Sequence, residues 1–315
     1  MSVSPLLLIF AKVIGGLSVF LLGLFTLRTG LIKLSSKRME FIIAKLVKTP
    51  VRGLLTGIAA TLFMQSSAAV TVLSMGLVSA GVLRFSETIA IILGTNIGST
   101  MTVGLLSLGI ERVGPFIIVV GVLLFLFPKW RGYGISIVGF GTLFVGFSLI
   151  SQAMQPIINS TSITKLLLQA TYHPWFGLLA GTIVTAIITS SSASTALTLA
   201  LAKSGALSIT AAIAIVFGNN VGTCITAILA SIGGTRPVQR VAATHVLLNV
   251  VGAIVFMLFL VPFTHLVESI SQDTGHQVAI AHILFNVISS LVALPFTRLI
   301  ATMLEYLLPE KKFLR

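Results

Sequence analysis

The sequence predicts an all-α integral membrane protein built from two inverted repeats, each a re-entrant helical hairpin followed by a broken transmembrane helix. Three observations carry this reading. Of the 315 residues, 56% are hydrophobic and only 9% are charged, with a mean hydropathy of +1.10, too little charge for a water-facing surface. Gly53–Thr100 aligns with Gly177–Cys224 without a gap, and nineteen of the aligned pairs are identical. Both copies set serine-rich clusters inside apolar sequence, where hydroxyls and amides are costly unless they bind something or one another. A chain that repeats that cost points to a symmetric binding site.

The first apolar run, Leu6–Leu27, has no basic side chain before it and only Lys12 within it, and the clustered positive charges follow it from Arg28. It reads as a retained first span and not as a cleaved signal. Arg28–Lys48 mixes apolar and basic residues at helical spacing, as an interfacial helix does. Residues 1–52 therefore form a first span with a basic interfacial helix.

Two segments, Gly53–Ala80 and Pro174–Ala202, are too long and too broken for plain spans. Their polar tips are Gln65-Ser66-Ser67 and Ser190-Ser191-Ser192. A re-entrant hairpin would enter and leave on one side with its tip shielded by protein. A tilted helix with a small-residue packing face is the alternative, and duplication favours the hairpin. Three apolar segments, 86–108, 113–127 and 133–150, separate the two. An odd number of crossings inverts the second copy relative to the first, an arrangement suited to alternating access. The segments 209–231, 241–263 and 278–300 follow. The units are repeat 1 over 53–150, a short external linker over 151–171, repeat 2 over 172–304 and a cytoplasmic tail over 305–315.

The net charge of +13 would suggest nucleic acid only if the basic residues shared one soluble face. Seven of the 20 Lys and Arg instead lie between Arg28 and Arg52. With that segment in the cytoplasm, 16 of the 20 fall inside; Lys12, Arg112, Lys165 and Lys203 do not. The expectation is an N-terminus outside, two opposed hairpins and a cytoplasmic C-terminus, in the inner cell membrane. Cys224 is the single cysteine, so no intramolecular disulfide can form.

Neither hairpin contains an Asp, Glu, Lys or Arg between Gly53 and Ala80 or between Gly177 and Ala202. An anion can still be held by helix N-termini, whose N–H groups and partial positive charge point at it. Carbonyls at helix breaks, with Asn, Gln, Ser and Thr oxygens, suit a hard monovalent cation such as sodium. The G-x-N-x-G runs Gly94–Thr100 and Gly218–Cys224 offer places for a helix to unwind. The candidate sodium ligands are Thr95, Asn96, Thr100, Thr189, Asn219, Asn220 and Thr223, with bonding across helices as the alternative for each Asn. His245 with Asn249, and His282 with Asn286, repeat an H-x-L-x-N-V pattern that reads as interhelical hydrogen bonding more than as a proton relay. No Walker loop, triad or cofactor motif is visible, so neither an enzyme nor a cofactor is expected, and sodium is the only metal.

At these residues the chain resembles the type II sodium–phosphate cotransporter family and its bacterial members, over roughly Gly53–Asn286. The family's duplicated Q-S-S-S-A reads here as Gln65-Ser66-Ser67-Ala68-Ala69 and Thr189-Ser190-Ser191-Ser192-Ala193. Ala68 and Thr189 are departures. The G-x-N-x-G spans and the H-x-L-F-N run at His282–Asn286 are similar to the family as well. The resemblance implies sodium-coupled transport of inorganic phosphate, with Gln65, Ser66, Ser67, Ser190, Ser191 and Ser192 holding phosphate or sodium. The implied partners are phosphate, sodium and the lipid bilayer, with a homo-oligomer left open. The short Ser151–Tyr172 connection is similar to prokaryotic members, some of which export phosphate, so direction stays open. The alternatives are a carrier of another small oxyanion or a dicarboxylate, and a non-transporting membrane scaffold.

Overall fold

The computed structural model describes residues 5–34, 46–156, 167 and 169–310, and its regular structure there is entirely helical. Helix α1 (Pro5–Leu34) carries Gly16, Gly23 and Gly30 at every seventh residue. The later helix α6 (Arg131–Met154) carries Gly132, Gly139 and Gly146 at the same spacing. The two stripes face each other antiparallel: Gly23 meets the backbone of Leu143, Gly139 that of Leu27 and Gly146 that of Phe20. Lipid supplies no hydrophobic drive between helices, so association rests on such close backbone approach.

The first span therefore extends past Leu27, because α6 continues alongside it: Gly30 packs on Ser136 and Gly132 on Leu34. This corrects the interfacial-helix expectation for 28–34, which belong to α1. Residues 35–45 of that expectation lie outside the described residues.

In the first repeat, α2 (Pro50–Met64) starts behind a Thr49 cap with Pro50 in its first turn, where the missing N–H is not needed. It is followed by α3 (Ser67–Ser79) and α4 (Phe85–Ser107). Gly57 meets Ile91 O, Gly94 meets Leu54 O, and Gly98 meets Thr61. These contacts advance together along both helices, so α2 and α4 run in the same direction. The chain leaving α2 must come back along α3 before α4 begins.

The second repeat reproduces this with α7 (Pro174–Ile188), α8 (Ser191–Lys203) and α9 (Ile209–Gly222). There Gly181 meets Ile215 O, Gly218 meets Leu178 O, and Gly222 meets Thr185. The identical Gly81 and Gly205 close the two hairpins at φ of +71° and +77°, a conformation glycine adopts without a Cβ clash.

The expected unwinding at the G-x-N-x-G runs is seen in neither copy. Helix α4 runs unbroken through Gly94–Gly98. In the second copy Thr223, itself in helical backbone at φ −63° and ψ −21°, joins α9 to α10 (Cys224–Ser231), so that residues 209–231 form one membrane-length helix. In α4 the glycines serve the close approach of α2, and nothing there requires the ladder of backbone bonds to open.

Helix α5 (Gly114–Phe125) has 12 residues and lies antiparallel along α6, with Gly121 on Val138, Gly134 on Phe125, and Gly141 on Gly114. The remaining helices are α11 (Arg236–Leu258), α12 (Leu260–Ile270), α13 (Thr274–Ala293) and α14 (Thr297–Leu307). Phe217, Phe256, Phe263 and Phe285 pin α9, α11, α12 and α13 together at ring-centroid distances of 4.8–5.7 Å. Six helices among the described residues are long and apolar enough to cross a membrane, with α9 and α10 counted as one and α13 and α14 as one. The outer surface is apolar as well, with Phe25, Phe116, Ile187 and Leu258 exposed.

Replacing Gly146 by Leu would drive a side chain into the Phe20 backbone. The expected loss is about 1–3 kcal/mol of stability, read as a lower unfolding midpoint in detergent. Gly15→Leu is the control, since a Cβ at Gly15 meets nothing within 4 Å.

Candidate functional site

Each hairpin turns over on a left-handed residue, Gln65 at φ 47° and Thr189 at φ 56°, the two non-glycine positive-φ residues among those described. A side chain in that region costs about 1–2 kcal/mol, and a β-branched threonine there is a marked outlier. Such strain persists where the surroundings impose it, often at functional sites. Here it ends one helix and starts the next within two residues.

The following residues, Ser66 and Ser190, are extended and cap the new helices. Ser66 Oγ accepts from Ala69 N at 3.1 Å and Ser190 Oγ from Ala193 N at 3.3 Å. Helix geometry leaves the first-turn amides of Ser67, Ala68, Ser191 and Ser192 without intrahelical acceptors. They form the positive ends of the α3 and α8 dipoles.

Both tips line one cavity of about 70 Å³, and a buried water needs roughly 10–15 Å³ of such space, so several waters or one small oxyanion fit. Gln65, Ser66 and Ser67 come from one side and Thr189, Ser190, Ser191 and Ser192 from the other, while Ser99 and Thr102 of α4 face Thr223 and Thr226. Leu24, Thr61, Ala68 and Gly98 complete it, and no charged residue lines it. Gln65 is held at both ends: Nε2 donates to Leu62 O at 2.6 Å, and Oε1 accepts from Thr102 Oγ1 at 3.0 Å. Ser99, Thr223 and Thr226 donate to Asn96 O, Asn220 O and Thr223 O at 2.6–2.9 Å. Their oxygens keep lone pairs for a cation or a donor hydroxyl. The site therefore combines amide donors from the tips with hydroxyl acceptors from the flanking helices.

Eight of the residues singled out from sequence meet here: Gln65, Ser66, Ser67, Thr189, Ser190, Ser191, Ser192 and Thr223. The other candidate sodium ligands do not line the cavity. Asn96 Nδ2 donates to Asn249 Oδ1 at 3.3 Å, tying α4 to α11. Thr95 and Thr100 donate to Ile92 O and Ile97 O at 2.8 Å, and Asn220 Nδ2 to Val216 O at 2.9 Å. Asn219 lies buried among threonines of α7 and α8. Of the histidine–asparagine pairs, Asn249 makes the expected interhelical bond, while Asn286 Nδ2 returns to His282 O at 2.9 Å on its own helix.

Sequence reasoning missed Thr61, Ser99, Thr102 and Thr226. A signal was present for all four: Thr61 aligns with the identical Thr185, Ser99 aligns with Thr223 as a hydroxyl pair, and the identical Thr102 and Thr226 stand two residues beyond the aligned window.

Residues 19–152 and 146–272 each match the family model described as Na+/Pi-cotransporter. The chain belongs to the Na+/Pi-cotransporter family. The first match contains the second half of α1, all of α2–α5 and most of α6; the second contains the end of α6 and α7–α12. Among its relatives, the uncharacterized protein YqeW of Bacillus subtilis is 34% identical over 294 residues, 93% of this chain and 96% of that protein. The "Putative inorganic phosphate export protein YjbB" of Salmonella typhimurium is 25% identical over 283 residues, 89% of this chain. This chain spans about half of that protein, 52% of its length. Sodium-dependent phosphate transport protein 2A of Oryctolagus cuniculus is 42% identical over 57 residues, 18% of this chain and 9% of that protein. No solved structure matches the chain. Membership of the Na+/Pi-cotransporter family together with six membrane-length helices makes this a multi-pass membrane protein.

Asparagine tolerates left-handed backbone better than a β-branched residue does. Thr189→Asn should therefore raise stability by on the order of 1 kcal/mol, measured as a higher midpoint of thermal unfolding; an unchanged or lower midpoint would show that the tip is unstrained.

Proposed function

We propose that this member of the Na+/Pi-cotransporter family is a secondary carrier that couples sodium to the movement of inorganic phosphate across the cell membrane by alternating access. One observation carries the reading: two strained helix breaks turn four free first-turn amides onto a single uncharged, hydroxyl-lined cavity. Phosphate oxygens accept from those amides and from serine hydroxyls. Hydrogen phosphate also keeps an O–H that must donate, and the Ser, Thr and Gln65 oxygens can accept it, a match sulfate lacks. A bound sodium ion offsets the anion's charge in low dielectric. The names of the relatives support phosphate, and the family name supports sodium.

The helix directions support re-entrant, inverted hairpins. Because α2 and α4 run the same way, α3 returns to the side from which α2 entered. Three crossings, α4, α5 and α6, then separate the hairpins, provided the short α5 is counted. Helices α1 and α6 each precede a hairpin and cross antiparallel, as two copies related by an in-plane two-fold would. The positive-inside rule sets the N-terminus outside and the C-terminus in the cytoplasm. The glycine contacts tie each hairpin to its neighbour, α4 or α9, so we read each pair as one moving body working against the remaining helices. A two-fold site reads the same from either face, so the ion gradients alone set import or export.

Purified protein in proteoliposomes should accumulate radiolabelled phosphate at least tenfold faster with an inward sodium gradient than without; equal rates would remove the coupling. Arsenate should compete. Competition by a dicarboxylate but not by phosphate would overturn the substrate. Ser67→Ala with Ser191→Ala leaves both caps, Ser66 and Ser190, in place. A hydrogen bond to a charged ligand is worth about 1.5–3 kcal/mol, so each change should weaken phosphate binding by roughly tenfold or more.

For the inverted arrangement, cysteines at Val82 and Tyr172 in a Cys224→Ser background should react with an impermeant thiol reagent from opposite faces, Val82→Cys from the cytoplasm. Labelling of both from one face would rule the inversion out.

A further inference from the structure

The two repeats share a backbone but differ at one buried spot, and that difference points to a cation site. In the second repeat, the fully buried Asn219 side chain plugs the space between α7, α8 and α9. Gly181 O and Ile215 O lie 3.2 Å from one end of its amide, and carbonyls can only accept. That end is therefore the NH2, which also reaches Thr185 Oγ1 at 3.0 Å, while the amide oxygen accepts from Thr195 Oγ1 at 3.1 Å. A partially positive NH2 group thus sits among two carbonyls and a threonine hydroxyl.

The gap-free alignment places Gly57, Ile91, Thr61 and Thr71 at the equivalents of Gly181, Ile215, Thr185 and Thr195. The backbone contacts match as well: Gly57 on Ile91 O repeats Gly181 on Ile215 O, and Gly98 on Thr61 repeats Gly222 on Thr185. Asn219 is replaced by Thr95, whose shorter side chain folds back to Ile92 O at 2.8 Å. The hydroxyls it fails to reach, Thr61 Oγ1 and Thr71 Oγ1, are only 2% and 1% exposed as residues and have no hydrogen-bond partner. Orphaned hydroxyls of this kind cost about 1–3 kcal/mol each, and two stand together in one repeat where the other has an amide.

We propose that a sodium-sized monovalent cation binds in the first repeat at the place the Asn219 amide occupies in the second, held by Thr61 Oγ1, Thr71 Oγ1 and the carbonyls of Gly57 and Ile91. Neutral oxygens without a carboxylate suit a hard monovalent ion and leave a divalent one undercompensated. Asn219 is then a built-in stand-in for the ion, so the second repeat has no such site. Thr61 also lines the central cavity, one helical turn from Gln65. The cation therefore lies beside the oxyanion and can favour its binding. That last step rests on the carrier reading above; the cation site does not.

The test uses the purified full chain without phosphate, with thermal unfolding followed as sodium chloride replaces choline chloride at constant ionic strength. A ligand that binds only the folded state raises the midpoint, and above its dissociation constant the rise grows with the logarithm of its concentration. Wild type should show such a sodium-dependent rise. Thr95→Asn, which supplies the missing amide, should abolish it while raising the midpoint in choline. Thr71→Val should weaken the sodium response at least tenfold. Asn219→Thr, which empties the second spot, should add a second sodium-responsive site. A sodium response undiminished in both Thr95→Asn and Thr71→Val would mean that the orphaned hydroxyls hold water only. If sodium stabilises the protein as stated but phosphate does not bind, the substrate assignment fails and the cation site stands.

Discussion

Every polar group at membrane depth must find its partner inside the protein, because lipid offers none. Most hydroxyls here meet that demand locally by donating to a carbonyl of the preceding turn, as Ser18 does to Ile14 O and Thr142 to Val138 O, both at 2.8 Å. The hairpin tips depart from that habit. Each abandons its helix at a left-handed residue and starts another at a serine cap, leaving first-turn amides aimed at shared space. Since those amides cannot be satisfied by a neighbouring turn, the cavity between them is the place built for something polar to enter.

Holding two such breaks in place requires a rigid surround, and glycine supplies it. Wherever two helices must lie in backbone contact, a glycine stands at the contact: Gly57 and Gly94 in the first repeat, Gly181 and Gly218 in the second, and the heptad stripes of α1 and α6. The same glycines explain why G-x-N-x-G was misleading as a signal of unwinding. Glycine in a helix fits both a break and a close neighbour. The partner helix decides between them, and the pattern of one strand of sequence does not contain it.

The legible part of the site was the part that is local. The serine caps, the polar tips and the hairpins follow from composition and duplication, since a capping serine and its amides lie within a few residues of each other. The far wall was harder to read. Ser99, Thr102 and Thr226 are ordinary hydroxyls on helices, and only the arrival of the opposite tip gives them a role. Asn96 looked like a ligand and is instead a tie to Asn249 across α4 and α11. An asparagine in an apolar helix must bond something, but the sequence does not say whether that is an ion or another side chain. Likewise α1 outran its apolar stretch because α6 lies along its basic end.

Duplication also constrains what the site can do through the places where the copies disagree. A tetrahedral oxyanion has two-fold axes of its own, so it can sit on the pseudo-axis with a pair of oxygens toward each tip, served equally by Ser67 and Ser191. A single cation that lies off the axis is bound by one repeat and not by the other. The side chains divide accordingly. Gln65 aligns with Thr189, Ala68 with Ser192, and Thr95 with Asn219. On the proposed carrier reading, a matched backbone would present one cavity to two faces, and mismatched side chains would let that cavity distinguish two ions of opposite charge.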